Sequence, residues 1–478
     1  MQKLEKIILQ NSFIGLGKGF YSYECQEPLN KPFIVHLNNK LIKELGLSSI
    51  NPKLLMDIFN GTLQVPQTQT ISMNYAGHQF GQYVKQLGDG RGILIGEVKL
   101  NNKKFDIHVK GSGKTNYSRF GDGRAVLRSS LREYLCGEAM HFLNIPSSRS
   151  LMIFSSKDPV YREKTEDAAM IARTAKTHIR FGNFEKYFYE KDYKKHLDLS
   201  DYVISEYCSE ISTDNEEKYV TLLSKIVLGT AELIARWQAV GFCHGVMNTD
   251  NMSVLGETLD YGPYGFMDTF NPSHICNLSD TSGRYSYENQ PYIGLWNCSA
   301  LAHTFEKIVD KTKINHILSS YESRYAESLL GLYRNKLGLK VQDEADENLI
   351  QELLNLMKEQ ELDYTRTFRS LSNIFKKNNS IEVYPALRDW SIKLKKRHQK
   401  EDTDVASKIS LMNKNNPKYI LRNYLLQIAI DKAEEGSYKE IDNLMHIIRN
   451  PFNEIPDFET YAEESPDWAS DIGLSCSS

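Results

Sequence analysis

Between about residues 71 and 125 the chain is cut by glycine at short intervals, in AGHQFGQ, QLGDGRGILIGEV, KGSGK and RFGDGR. Between these loops the pattern is β-like. Phe105, Ile107 and Val109 alternate with Asp106, His108 and Lys110, the period-2 signature of a half-buried strand. Residues 92–98 read as another strand. The period then changes. Leu127, Leu131, Leu135 and Ala139 recur every four residues and predict a helix over about 124–143. Asn144-Ile145-Pro146 ends it, because proline disfavours helix at the residue before it. A second apolar stripe (Leu222, Leu223, Ile226, Leu233, Ile234, Trp237) predicts a helix over 219–240 that runs into Gly241-Phe-Cys-His-Gly245. Beyond residue 300 the chain reads as mostly helical and charge-rich. The expected class is therefore α+β and bilobal, a β-rich half with one key helix followed by a larger helical half.

Length supports two lobes, since 478 residues exceed what one core usually organises. Hydrophobic residues at 41% and charged residues at 25% exclude a disordered or fibrous chain. Lys+Arg 58 against Asp+Glu 61 gives a net charge of −3 and no electrostatic case for nucleic acid. No apolar run approaches the ~20 residues of a membrane span, and MQKLEKIILQNSF makes no convincing targeting signal. Seven scattered cysteines without a CxxC argue against a disulfide framework and a structural zinc site, so a reduced cytoplasmic location is expected.

Three constellations carry chemistry. In the first, Gly88-Asp-Gly-Arg-Gly92 lies between strands and Lys110 on the next one, where glycines let backbone N–H groups near phosphates and lysine adds a fixed cation. Such a hairpin alone is more often a plain turn. Glu133 sharpens it: a semi-buried helical glutamate needs a cation, and pairing with Lys110 would give the strand-lysine to helix-glutamate pair of protein kinases. In the second, His244-Gly-Val-Met-Asn-Thr-Asp250-Asn251 precedes a tight hairpin over 252–259 and Asp260-Tyr-Gly262. This resembles the kinase catalytic loop and metal-binding Asp-Phe-Gly, with Asn251 and Asp260 as hard ligands for Mg²⁺ or Mn²⁺. Val246 stands where the kinase base is expected. Either the chain binds nucleotide without turnover or another residue, Asp250, acts as base. In the third, Arg173 and Arg180 are suited to bidentate phosphate binding, or else pair with local acids at the surface.

Together these segments resemble the selenoprotein O family, with its bacterial YdiU-like members. The matching stretches are NYAGHQFGQ (74–82), QLGDGRGILIGE (86–97), VKGSGKTNYSRFGDGRAVLRSSLREYLCGEAM (109–140), IRFGNFE (179–185), CHGVMNTDNMSVLGETLDYGPYGFMD (243–268), YSYENQP (285–291) and NPKYILRNYLLQ (416–427). The resemblance implies a kinase-like pseudokinase fold, ATP bound in a flipped orientation, and transfer of AMP to Ser, Thr or Tyr hydroxyls of proteins. It implies UTP as an alternative donor of UMP. It also implies roles: Gly88, Gly90 and Arg91 as the nucleotide loop; Lys110 with Glu133 as the ion pair; Asp122 and Gly123 as a second nucleotide contact. Arg173 and Arg180 would clamp the terminal phosphates, Asp250 would accept the proton, and Asn251 and Asp260 would hold the metal. Cys276 and Cys476 would form a regulatory disulfide. Gly92 stands where the family often carries alanine, without evident consequence in the sequence. The expected division is an N-terminal extension (1–70), an N-lobe (71–212), a helical C-lobe (213–460) and a tail (461–478). A γ-phosphoryl kinase and a silent nucleotide-binding scaffold are the alternatives to adenylyl transfer.

Overall fold

The alternation around Phe105 forms the strand Lys103–Lys110, which pairs antiparallel with Gly92–Leu100 on one side and Thr165–Ala175 on the other. The computed structural model describes residues 11–66, 68–101, 103–212, 214, 217–375 and 385–475. Its central sheet is antiparallel throughout, in the order Tyr21–Tyr23, Ile71–Met73, Gly92–Leu100, Lys103–Lys110, Thr165–Ala175, Arg149–Tyr161 and Phe33–Leu37. The short strand Ala125–Val126 adds beside Thr165–Ala175. Both edge strands come from the first 70 residues.

The Lys103–Lys110 strand is not half-buried, as its alternation suggested, but buried on both faces over most of its length. Its apolar side chains Ile107 and Val109 join a core with helices Asn39–Glu44 and Pro52–Phe59. On the other face Asp106 and His108 are withdrawn from water into a polar network, so the polar side is interior as well.

The predicted helix begins at Leu127 rather than Arg124, because Ala125 and Val126 are spent in pairing with Ala169 and Ala168. It ends at Phe142, and Asn144 rather than the proline makes the stop. Asn144 adopts φ 61, and the amides of Ile145 and Asn144 fold back onto the carbonyls of Met140 and His141. That is a Schellman closure, with asparagine tolerating the left-handed conformation. Nearly every residue of this helix is buried, not only the leucine stripe. It packs between the sheet strands Arg149–Tyr161 and Thr165–Ala175 and the C-terminal helices Asn423–Glu434 and Lys439–Ile448.

The helix read over 219–240 runs from Lys218 to Ala239 and packs against Gln290–Thr304 and Lys311–Leu337 at the centre of the helical half. Among the described residues no helix is long and apolar enough to cross a membrane. Asn144→Val is expected to cost about 1–2 kcal/mol, because a β-branched residue resists the left-handed conformation. A lowered urea midpoint with an unchanged slope would show it.

Candidate active site

The sheet register places the first cations. Lys110 faces Gly92 on one neighbouring strand and Ile171 on the other, while Arg173 lies opposite His108. Glu133, at the sheet-facing side of its helix, meets both cations: Lys110 Nζ is 2.6 Å from Oε2 and Arg173 Nη1 2.7 Å from Oε1. Arg173 Nη1 also lies 2.5 Å from Asp260 Oδ1, and Arg180 Nη1 2.5 Å from Asp260 Oδ2. Lys110, Glu133, Arg173, Asp260 and Arg180 thus form one alternating chain of charges. Arg173 and Arg180 are 4% and 2% exposed, so the alternative of surface arginines is excluded. Burial alone would favour the neutral carboxyls. Lys110 and Arg173 nevertheless hold Glu133 below the usual carboxylate range, and Arg180, Arg173 and Lys110 hold Asp260 well below it.

This chain lies along a cleft of about 630 Å³ between the sheet and the loop that follows the Lys218–Ala239 helix. Gly88, Gly90, Arg91, Lys110, Asp122, Gly123, Arg173, Arg180, Asp250, Asn251 and Asp260 all line it, and Glu133 stands behind Lys110. The glycine turn is braced by the segment folded over it. Ser118 Oγ donates to Gly90 O at 2.5 Å and Thr115 Oγ1 to Asp89 O at 2.8 Å. The turn does not present all its amides outward, as a phosphate cradle would. Asp89 N–H donates to Met73 O, Gly90 N–H to Gly88 O and Gly92 N–H to Asp89 O. The anion-attracting groups of this cleft are chiefly side-chain cations. Asp122 is held bidentately by Arg162, at 2.7 and 2.9 Å, and accepts from Arg124 N–H, while Gly123 O accepts from Gly113 N–H.

On the opposite wall, His244 organises the loop from within. It accepts Val246 N–H at Nδ1 and lies 3.1 Å from Leu259 O through Nε2. The expected tight hairpin is present as a single bridge between Met252 and Thr258. Asp250 is 8% exposed; burial pushes its carboxyl up to about 7, against the opposing pull of Arg180. Its Oδ1 is buried and accepts no hydrogen bond from the described residues. A carboxylate with a raised affinity for protons at the lining of a cleft suits a general base. Asn251 donates its Nδ2 to Val246 O at 2.9 Å, leaving Oδ1 for another partner. Asn251 and Asp260 are two hard oxygen donors, a set that fits a Mg²⁺-like cation completing its shell with phosphate and water. Among the described residues no three His, Cys, Asp or Glu converge as a ready cation cage. Cys276 is buried beside Cys243, and Cys476 lies outside the described residues.

Sequence reasoning missed the groups that orient the cations. The Arg180 guanidinium lies 4.7 Å over the Tyr75 ring. His108, read as an outward member of an alternating strand, accepts Arg173 Nε at Nδ1 (3.2 Å), with its Nε2 3.4 Å from Asp89 Oδ2. Burial, reinforced by the charge of Arg173, pushes this imidazole down to about 4, so it is neutral and can accept. The only signal was a histidine two positions before the lysine.

Residues 3–449 match the family described as Protein adenylyltransferase SelO. The chain belongs to that family. It is 44% identical over 486 residues to the Protein nucleotidyltransferase YdiU of Vibrio parahaemolyticus, covering 99% of each chain. The relative of the same description in Aliivibrio salmonicida is 46% identical over 467 residues, with 96% of each chain covered. That of Photobacterium profundum is 41% identical over 514 residues, with 100% of each covered. The SelO assignment makes this an enzyme of the protein nucleotidyltransferase class, with a nucleoside triphosphate as substrate.

Gly92 acquires a reason here. A Cβ at this position would sit 2.3 Å from His108 Cε1 and 2.8 Å from Nε2. His108 is fully buried and has nowhere to withdraw. Gly92→Ala is therefore expected to destabilise the protein by about 1–3 kcal/mol through overpacking. It should also weaken ATP binding by displacing the acceptor of Arg173. Gly92→Ala/His108→Ser relieves the overpacking, so its melting temperature should rise above that of Gly92→Ala, while ATP binding stays weakened because Arg173 still lacks its imidazole acceptor.

Proposed function

We propose that this protein transfers AMP from ATP to Ser, Thr or Tyr hydroxyls of other proteins and releases pyrophosphate, with UTP as an alternative donor. The observation that carries this reading is the burial of Arg173 and Arg180 alongside Lys110 at one end of the cleft, with Asp250 on the loop opposite. In attack on the α-phosphorus, negative charge builds on the departing β- and γ-phosphates. Fixed cations are most useful there. Two buried arginines in addition to the lysine exceed what holding a transferring γ-phosphoryl group requires.

In this mechanism Lys110, Arg173 and Arg180 bind the β- and γ-phosphates, and Glu133 holds Lys110 and Arg173 in place. Asp250 takes the proton of the attacking hydroxyl. The new bond joins that oxygen to the α-phosphorus, and the bond from the α-phosphorus to the bridging oxygen breaks, so that pyrophosphate leaves with the electron pair. Asn251 and Asp260 are the residues to hold Mg²⁺ or Mn²⁺, which when bound neutralises phosphate charge. Gly88, Gly90, Arg91, Asp122 and Gly123 complete the nucleotide site.

The same reading takes the architecture as a kinase-like bilobal fold that has moved its base from position 246 to Asp250. The N-lobe would span 71–212, the helical C-lobe 213–460, the extension 1–70 and the tail 461–478. A sheet with the lysine strand, a helix with the glutamate and a loop with Asn251 and Asp260 support it. For redox control through Cys276 and Cys476, the support is the bond from Leu278 N–H to Leu474 O at 2.8 Å, which lays the tail beside the Cys276 segment. The adjacent Cys243 and burial raise the Cys276 thiol, so it resists deprotonation.

ATP labelled at the α- or the γ-phosphate tests the proposal, with a heat-treated bacterial lysate as acceptor. Label is expected to move to protein from the α position only, to stop on chelation and to return with Mg²⁺ or Mn²⁺. Asp250→Asn should lower the rate at least about 100-fold while ATP still raises the melting temperature. Transfer of γ label would make the protein a kinase; stabilisation by ATP without transfer of either label would make it a scaffold.

A further inference from the structure

The AGHQFGQ segment forms a hairpin, Gly77–Gln79 paired with Gln82–Val84, that docks on the loop carrying Asp250. His78 N–H donates to Thr249 Oγ1 at 2.7 Å, and Gln79 Nε2 reaches Asp250 Oδ2 at 3.4 Å. Gln79 and Phe80 line the cleft. From there a strip of aromatic rings leads away over the surface. The Phe80 ring lies 5.1 Å from that of Tyr285, and the His78 ring lies 5.3 Å from Trp296 and 6.0 Å from Tyr189. Tyr292 precedes Trp296 by four residues on the helix Gln290–Thr304, and so shares its face. Phe80, Tyr189 and Tyr292 are exposed, Tyr292 to 66%. Clustered exposed rings mark interaction surfaces, and Tyr, Trp, Phe and Arg are the residues that interfaces favour.

Arg284 sits within this strip. Its guanidinium carbon lies 4.8 Å from the centre of the Trp296 ring and 5.7 Å from that of Tyr285. A Cβ at Gly81 would meet the same carbon at 3.3 Å, so the bare backbone of the hairpin tip makes room for it. The guanidinium is thus held in place without a counter-ion: among the described residues it makes no ion pair. The acid nearest in sequence, Asp280, is committed to backbone. Its Oδ1 accepts Arg284 N–H at 3.0 Å, and its Oδ2 accepts Tyr285 N–H at 2.7 Å. Of the three guanidinium nitrogens only Nε is buried without a partner, so the terminal pair is what an incoming carboxylate meets.

Resting on the adenylyl-transfer reading, we propose that this strip docks an extended segment of the acceptor protein, with Arg284 binding an Asp or Glu side chain close to the modified hydroxyl. A fixed arginine fork suits a carboxylate, and a lone cation beside exposed rings selects against basic segments. Proximity sets the spacing. Gly81, against Arg284, is two positions from Gln79, which touches Asp250, so about 7 Å of backbone separates them. An extended segment advances about 3.3 Å per residue, which puts the acidic side chain within about four positions of the hydroxyl.

Sequencing the peptides that receive α label from ATP in a heat-treated bacterial lysate tests this. Their flanks are compared with those of all Ser, Thr and Tyr residues in the same lysate. For the wild-type protein, Asp and Glu are expected to be enriched at least about threefold within four positions of the labelled hydroxyl. Arg284→Lys, which keeps the charge, should retain the enrichment. Arg284→Met should abolish it, and Arg284→Glu should replace it with enrichment in Lys and Arg. ATP should raise the melting temperature of all three variants as much as that of the wild type. A wild-type pattern without acidic enrichment overturns the proposal. So does enrichment that survives in Arg284→Met, the result expected if Arg284 only braces the hairpin. Failure of the underlying reading looks different, since the wild-type protein itself would then transfer γ label or none.

Discussion

Asp260 sits between two buried arginines, and much of the architecture serves to keep it there. Its carboxylate closes a chain of five charges that runs from Lys110 through Glu133, Arg173 and Asp260 to Arg180. Charges withdrawn from water this far are tolerable only when each has a partner, and removing one member leaves the next uncompensated. The five come from two strands, a helix, the segment before Phe181 and the loop beyond residue 250, so the sheet and the helical half are joined through them. Three cations against two carboxylates leave a net +1 on the chain. A site built this way is electrostatically incomplete until an anion enters, which fits a polyphosphate substrate.

The supporting layers behave as a second frame around this chain. Asp89, fixed by Met73 N–H and the Tyr75 hydroxyl, lies beside His108, and His108 accepts from Arg173. On the other wall Glu185, Thr249 and His78 make a closed polar triangle under the loop that carries Asp250. The glutamate helix is held from its far side as well, where Tyr134 OH meets His36 Nδ1 at 2.6 Å and His36 Nε2 lies 3.0 Å from Asp442. Arg173, Arg180 and the loop around Asp250 are thereby each braced by groups outside the five-charge chain.

The fold was legible wherever one period dominated. The leucine stripe from Leu127 and the apolar stripe from Leu222 correspond to long helices, and the alternation from Phe105 to a strand. Lys110, Glu133, Asn251 and Asp260 stood out through their spacing along the chain, and the structure gathers them around one cleft. Burial itself was not legible. An alternating strand looks the same whether its polar face meets water or a layer of interior charge, so Asp106 and His108 were assigned to the surface. Nor could the outer donors be read from the sequence. Gln79 lies 171 positions from Asp250, and only the hairpin's docking brings the two together. The helix start was misplaced for a related reason: Ala125 and Val126 suit a helix locally but satisfy strand partners at Ala169 and Ala168, far along the chain.

The contact between position 92 and His108 bears on how such a cleft can change over generations. A bare backbone at one site and an imidazole at the other fill a single volume, so a change at either position is felt at the other. A methyl group is admissible at position 92 only in a lineage whose ring at position 108 has already given way to something smaller. A smaller residue at 108, arising first, would strip Arg173 of its acceptor. The path between alternative versions of this site is therefore ordered, and its intermediates are penalised even where both end points work.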